Sequence, residues 1–586
     1  MSDFSLLCGF DLVFEGEQPL PKEEYIQGVG KPTLLTLATF LIALDPAKSK
    51  FANWKELLTM WFRLENAAVK KQVWDRCTYL QNKYGAISLL SVVAGLKLFE
   101  FIFESHSSHE VVDEVTSEVN LFKLYLLFLD DTTAKEEASK NYISQKEGNL
   151  RIAATLLNQT FPNSDLYNYQ LQEIFVCQII KSYFIFEFLQ KDNRTTALVE
   201  KFKEVFGIDT IREYFEHFSH IYKGHLDHPN EGWTEFNVKA NEHFDKNCQF
   251  LDAISLIDFD KELDADFKVL RGNPIYKTGV GRYSIISPLF TTEKIYKGLY
   301  FKLNELNTEI DQARRIKQFR SFYTSNFSEN YLLYQVLEYI YSQRSYKRFT
   351  GQELAKVDNG LPDYYIRNGS HLFLFENKDI FINAEIKQGG NYEKLEMELQ
   401  KKLHFEVKDG TTTWKGVSQL ANNLKRALLR QNEFDNNYKP QSLKIYPILV
   451  LHDSAFNALG FNHVIDSWFQ TELEKIAAEG IDVSKVRPVT VLFIDTLILF
   501  ADFLKVKKIP LEDLLDGYRK HSIFNESKTY KSEDHLKSRY ADSMYPFSLF
   551  IHKFTDNGNT KVPFGLMDFI LPSIFKPNID KIHKGG

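Results

Sequence analysis

LPDYYIRNGSHLFLFENKD, residues 361–379, decides how this chain is read. PDYYI and HLFLF have the apolar, aromatic make-up of strands, and RNGS between them holds residues that favour a tight reversal. Side chains two apart on a strand share a face, so Glu376 and Lys378 project together. Partners on antiparallel strands are equidistant from their turn. A turn near Asn368–Gly369 therefore sets Asp363 opposite a residue in the mid-370s. Two carboxylates and one ammonium converge at one end of a hairpin. Mg²⁺ takes one or two carboxylates together with waters and substrate phosphates. A lysine beside it can hold or deprotonate an attacking water and offset developing negative charge. Carboxylates favour that lysine's charged form, while burial and the metal oppose it.

INAEIKQ, residues 382–388, offers a second pair at the same spacing, Glu385 and Lys387, in a stretch that also reads as strand. Glu385 overshoots the mid-370s by about nine residues, roughly 30 Å of extended chain. The expectation is that Glu376 and Lys378 form the site, unless DIFINAE folds back again.

Outward from this hairpin, helix and strand alternate. DQARRIKQFRSFYTSNFSENYLLYQVLEYIYSQ reads as helical, and KRFTGQELAKV as holding a short first strand. KGVSQLANNLKRALLRQ and HVIDSWFQTELEKIAAEG read as helices, LKIYPILVLHD and PVTVLFID as buried strands, and TLILFADFLK as a closing helix. Near-continuous apolar strands imply a sheet covered on both faces, so residues 311–525 are assigned to an α/β domain. Residues 1–265 carry apolar positions at three- and four-residue spacing and are assigned to a helical domain for partner binding, sensing or regulation. Residues 266–310, with RGNPIYKTGVGRYSIISPLF, are read as a connector with a short hairpin, and 526–586 as a C-terminal extension.

The 586 residues carry a net charge of −7, so a nucleic-acid site must be a local patch. Basic clusters occur at Arg314, Arg315, Lys317 and Arg320, at Arg344, Lys347 and Arg348, and at Lys415, Lys425, Arg426 and Arg430. Phosphate contacts need such cations. Four scattered cysteines make no CxxC pair, which excludes a disulfide framework and a cysteine zinc site and fits reduced thiols in the cytoplasm. The first residues lack a basic signal-peptide start, and the apolar runs are broken or too short for a bilayer, so no membrane partner is expected. His217, His220, His225 and His228, with His243 beyond them, make a zinc or manganese site conceivable. Solvent-facing or hydrogen-bonded histidines are the plainer reading. GVGRY is a lone GxG, and the chain has no GxxxxGK[ST], GxSxG or HExxH.

Pro362-Asp363, followed after a hydrophobic strand by Glu376-Asn377-Lys378, resembles the signature of the PD-(D/E)xK superfamily, the restriction-endonuclease-like nucleases. The order helix, three strands, helix, strand over about 328–452 is similar to that core. Gln419 stands where many RecB-like members begin their next helix with glutamine. The resemblance covers roughly 200 residues. It implies a large α-helical N-terminal half followed by a restriction-endonuclease-like α/β domain. It implies metal binding, Mg²⁺ or Mn²⁺, by Asp363 and Glu376 with the Asn377 carbonyl. Lys378 would place the water, and Gln419 would orient water or substrate. Glu329 or Glu338 would be a further acid on the first helix. The implied substrate is nucleic acid, DNA favoured, contacted by Arg314, Arg315, Lys317, Lys425 and Arg430. Without a helicase or target-reading motif, the layout resembles stand-alone defence effectors against phage, with a protein partner or trigger on the helical half. Two rivals stay open: a non-catalytic nucleic-acid or protein scaffold on a degenerate nuclease fold, and a phosphoesterase acting on a small nucleotide, which would need a closed pocket.

Overall fold

Two-residue periodicity and apolar runs produce a five-stranded mixed sheet, the frame on which the chemistry hangs. The structure is a computed structural model that describes residues 5–44, 49–105, 113–133, 139–167, 169–227, 235–256, 266–358, 360–506, 509–524, 532–555 and 562–570. The strands are β1 (Lys347–Thr350), β2 (Tyr364–Asn368), β3 (His371–Lys378), β6 (Lys444–Leu451) and β7 (Thr490–Phe493), in the order β7-β6-β3-β2-β1. A separate two-stranded ribbon is formed by β4 (Phe405–Lys408) and β5 (Thr411–Trp414). β1, β2 and β3 form an antiparallel meander, whereas β3, β6 and β7 run parallel. β2 and β3 are joined by a two-residue loop in which Gly369 has φ 59°, a left-handed conformation that suits glycine.

β6 is buried along nearly its whole length despite Pro447 at its centre. Proline has no N–H to give to a ladder. Pairing on the β7 side is interrupted there, with a single bridge Ile445↔Val486 before Pro447 and the ladder resuming at Ile448↔Thr490.

Helices cover both faces. One face carries Leu372 and Leu374 of β3 under α3 (Tyr392–Leu403), α4 (Gly416–Leu428) and α5 (Phe461–Ala478), in one buried cluster with Leu395, Val417, Leu420, Leu424, Leu449, Val464 and Phe469. The other face carries α1, a continuous helix made of Phe319–Ser321, an i→i+5 (π) stretch Phe322–Leu333, and Tyr334–Ile340. There Tyr334 packs on Tyr364 with ring centroids 5.6 Å apart. Turns of π-helix are uncommon and occur mostly at functional sites.

This sheet belongs to a unit made of Ala138–Val199 and Leu303–Gly586; the other unit is Met1–Glu137 with Glu200–Lys302. The division differs from the sequence boundaries in two places. Residues 138–199, expected in the helical half, fold with the sheet, where Ala153, Leu157 and Phe161 join its core. The stretch expected as a connector from 266 does contain a hairpin, Ile275–Gly279 with Arg282–Ile285. It is the centre of a four-stranded sheet that also includes Glu235–Asn237 and Ser255–Leu256, so the segment is folded and the first unit is not purely helical. Composition could not show this, because two of those strands are only two and three residues long. The chain is thus a mixed α/β protein rich in helix. Among the described residues no helix is long and apolar enough to cross a membrane.

Candidate active site at the end of β2 and β3

The register of β2 and β3 pairs Tyr364 with Phe375 and Asn368 with His371. One step further, Asp363 lies across from Glu376. By alternation Asp363, Glu376 and Lys378 share the face that carries Leu372 and Leu374. Asp363 is held twice. Its carbonyl accepts the Gly351 N–H at 2.8 Å, and its Oδ2 accepts the Asn377 N–H at 2.7 Å. Glu376 is 1% exposed, and its Oε1 accepts from Lys378 Nζ at 2.6 Å. Among the described residues the second oxygens, Asp363 Oδ1 and Glu376 Oε2, accept no hydrogen bond.

Glu329, on the π stretch of α1, joins this group from the opposite face. Burial pushes its carboxyl up to about 8, and the charge of Asp363 adds to the effect. Glu376 is likewise pushed up to about 8, by burial first and then by Asp363, with Lys378 opposing. Burial also raises Asp363, against Lys378 and the Asn377 N–H. For Lys378 the opposing influences resolve in favour of charge. Burial works against the ammonium, but Glu376, Asp363 and Glu329 together hold its pKa above the ordinary lysine value. Glu338, the other acid considered on this helix, is elsewhere. It accepts from Tyr364 Oη and pairs with Arg348.

The residues between the working ones anchor the strand. Asn377 Oδ1 meets His452 Nε2, at the end of β6, at 2.8 Å. Asp379 accepts from Ser328 Oγ at 2.5 Å and from Arg320 Nη2 at 3.0 Å. The Ser328 contact ties β3 to the helix position next to Glu329. ENKD therefore splits by alternation into Glu376 and Lys378, which face the site, and Asn377 and Asp379, which fasten it. The sequence reading missed His452 and Asp379. Their signal was a polar residue at the carboxyl end of an apolar strand, where α/β sheets carry their ligand sites.

Glu385 and Lys387 are not on a strand. INAEIKQ forms the short helix α2 (Ala384–Gln388), so its strand-like appearance misled. Asn383 caps it by accepting the Glu385 N–H at 2.8 Å, and Lys387 is buried on Asp165 at 3.3 Å. Local capping outweighed strand propensity.

Gln419 lies on α4. That helix starts at Gly416, where a Cβ would sit 3.1 Å from Leu449 Cδ1, and Leu449 is the register partner of Glu376. Gln419 thus stands one turn in, on the site's face of the sheet. Its Oε1 is buried and has no hydrogen-bond partner. No hydrogen bond joins it to Asp363, Glu376 or Lys378.

Of the basic residues, Arg314, Arg315 and Lys317 are exposed just before Arg320, on a 3-10 turn and loop instead of the expected helix. Lys425 pairs with Glu479 at 2.5 Å, and Arg430 donates to the Asn436 carbonyl at 2.7 Å. The end of α4 lies near the β2–β3 turn: Tyr438 Oη donates to Ala427 O, and nearby Asp435 binds Arg367 of β2. Lys425 and Arg430 are therefore at the end of the sheet away from Glu376, not beside it. A cavity of about 320 Å³ also lies toward that far end, lined by Tyr446, Arg487, Thr490 and Asp516 among others and by none of the carboxylates above.

His217 stacks on Phe250 at 4.2 Å, and burial lowers its pKa. The side chain of His225 and the whole of His228 lie outside the described residues. Among the described residues no group of three or more His, Cys, Asp or Glu side chains is disposed to hold a metal ion unaided. A Mg²⁺ bound through two carboxylates, a carbonyl and waters asks for less than that. Asp363 and Glu376 each keep one oxygen without a hydrogen bond, and this donor set fits a hard divalent cation. No protein-family model, no curated protein and no solved structure matches this chain.

Proposed function

We propose that the sheet-bearing unit is a Mg²⁺- or Mn²⁺-dependent nuclease of the restriction-endonuclease-like kind, hydrolysing phosphodiester bonds of nucleic acid, DNA first. The observation that carries this reading is the placement of Asp363 across from Glu376, with Lys378 Nζ 2.6 Å from Glu376, at one end of the sheet. Three acids whose pKa values are all raised form a site that gains from taking up positive charge. Asp363 and Glu376, with the Asn377 carbonyl, would hold the cation. When bound, it would polarise the scissile phosphate and lower the pKa of a bound water.

The remaining work falls to the chain. Lys378, kept charged by its acids, donates to the attacking water and offsets the negative charge that grows on the phosphate. It acts as a donor, not a base, while Glu376 holds it at 2.6 Å. Glu329, with a pKa of about 8, is largely protonated at neutral pH and could accept a proton from that water only through its ionised fraction, which grows as pH rises toward 8. Asn377 and Asp379 keep the strand end in place, and Gln419 brings an unsatisfied carbonyl oxygen to the same face. Arg314, Arg315 and Lys317 supply phosphate contacts on the approach. Four free cysteines suit the cytoplasm, where we place the protein, and defence against foreign nucleic acid is the role we assign by analogy, with the other unit taking the trigger. Incubation of the purified chain with supercoiled DNA, linear DNA and RNA, with Mg²⁺ or Mn²⁺ and with EDTA, tests the proposal. Cation-dependent cleavage of at least one polymer is expected. Intact substrates under every condition would defeat it.

A further inference from the structure

The ribbon β4–β5 carries exposed apolar side chains on a two-stranded element of the sheet-bearing unit. Its register pairs Phe405 with Trp414 and Val407 with Thr412, which places Phe405, Val407, Thr412 and Trp414 on one face. Val407 is 61% and Trp414 49% exposed, and among the described residues no third strand pairs with the ribbon. Solvated apolar side chains grouped on one face mark a contact surface.

The ribbon is closed by a tight turn and fastened at its root. Asp409 and Gly410 both have positive φ, 50° and 75°, the two-residue turn that matches strand twist. At its root the Lys415 N–H donates to the His404 carbonyl at 2.9 Å. His404 in turn stacks on Trp468 with rings 2° from parallel and meets Glu472 at 2.9 Å. The root also adjoins Gly416, packed on Leu449 beside Glu376. The ribbon therefore springs from the same face of the sheet as the carboxylates.

Its charge suits a polyanion. Residues 401–415 hold four lysines, Lys401, Lys402, Lys408 and Lys415, against Glu406 and Asp409, in a chain whose net charge is −7. Lys408 has no anionic partner among the described residues, and Lys401 and Lys415 share only Glu406, at 3.5 and 3.6 Å. Alternation turns Lys408, at the turn end, and Lys415, at the root, to the face opposite Trp414, so a strand that stacks a base on the ring would meet these cations at the ribbon's edges with its phosphates.

The geometry points to β4–β5 as the element that engages single-stranded or unpaired nucleic acid next to the cleavage site, with Trp414 stacking on a base and Lys408 and Lys415 on phosphates. This rests on the nuclease reading and adds a substrate class to it: nucleic acid with a single-stranded portion, in preference to blunt duplex.

Fluorescence anisotropy with labelled 20-nucleotide single strands and 20-base-pair blunt duplexes, in EDTA so that nothing is cut, tests it on the full-length chain. The parent should bind the single strand more tightly. Trp414→Ala should weaken single-strand binding roughly 5- to 150-fold, the range of one base–aromatic stack. Duplex binding should change less than about two-fold, with an unaltered melting temperature because Trp414 is solvent-facing. Lys408→Ala should weaken both. Equal binding by parent and Trp414→Ala would overturn the ribbon's role, and the exposed face would then belong to a protein contact. Equal losses on both polymers would overturn the stacking. Cation-dependent cleavage by the same parent preparation separates these failures from failure of the nuclease reading: a parent that cleaves while Trp414→Ala binds normally loses only the ribbon. A parent that neither binds nor cleaves loses both.

Discussion

Replacing Glu376 with glutamine should make the protein more stable in chelator at pH 8 while destroying its proposed activity. Glu376 is buried and its carboxyl is pushed from the ordinary 4.5 to about 8. A group whose folded pKa is raised keeps its full contribution below 4.5, and that contribution is lost as pH rises through about 8, because the folded state binds the proton more tightly than the unfolded chain. At roughly 1.4 kcal/mol per unit the ceiling is about 5 kcal/mol. Asp363 and Glu329 share the penalty, and the 2.6 Å contact with Lys378 returns part of it. Glutamine keeps an oxygen for Lys378 and removes the charge. The expected gain at pH 8 is on the order of 1–3 kcal/mol. For the transition of the sheet-bearing unit this corresponds to roughly 1–4 °C in Tm. Scanning calorimetry in EDTA at pH 5 and pH 8 reads it. The gain should appear at pH 8, shrink toward pH 5, and be matched in the parent by adding Mg²⁺ at pH 8. A variant less stable than the parent at pH 8, or equally stabilised at both pH values, would refute the electrostatic account of the site.

Three further outcomes follow from the same geometry. Gly351→Ala should lower Mg²⁺-dependent cleavage on the order of ten-fold or more, because a Cβ there would meet the Asp363 carbonyl at 2.9 Å and Tyr334 Oη at 2.9 Å; unchanged rates would show that Asp363 tolerates displacement. Arg314→Ala combined with Arg315→Ala should flatten the log–log salt dependence of duplex binding by up to about 1.8, at roughly 0.9 per phosphate, whereas Lys425→Ala, already paired with Glu479, should leave the slope as it is. Equal effects would move the groove to α4. Lys387→Met should lower stability in urea unfolding by roughly 1–3 kcal/mol, because it removes the buried ammonium that faces Asp165, and a neutral result would remove that structural role.

The site was legible because its information is local. Asn368–Gly369–Ser370 sets the turn, the turn sets the register, and the register sets Asp363 against Glu376 without knowledge of the rest of the chain. The alternation that grouped Glu376 with Lys378 is equally local. What escaped depends on distant packing. The membership of residues 138–199 in the sheet-bearing unit rests on Ala153, Leu157 and Phe161 joining its core, with Phe161 against Phe456 and Phe461 some 300 residues away. Glu385 and Lys387 share the spacing of the pair that was preferred, and only packing shows Lys387 buried against Asp165, far off in sequence. Lys425 lies on the same helix as Gln419 and Arg430 just beyond its end, and helix direction puts both at the opposite end of the sheet. The ribbon β4–β5 lies in residues 405–414, which the sequence reading assigned to no element. The Asp409–Gly410 pair was its one local signal.

The central claim, that the ends of β2 and β3 form a metal-dependent nuclease centre, is tested most directly by Mg²⁺-dependent cleavage of supercoiled DNA. Parent, Glu376→Gln and Glu385→Gln should be compared side by side, with equal folding verified by circular dichroism. The account predicts cleavage by the parent, a loss of about 10²-fold or more in Glu376→Gln, and activity within a few-fold of the parent in Glu385→Gln, whose side chain is exposed on α2. Full activity in Glu376→Gln, or its loss in Glu385→Gln alone, would contradict it.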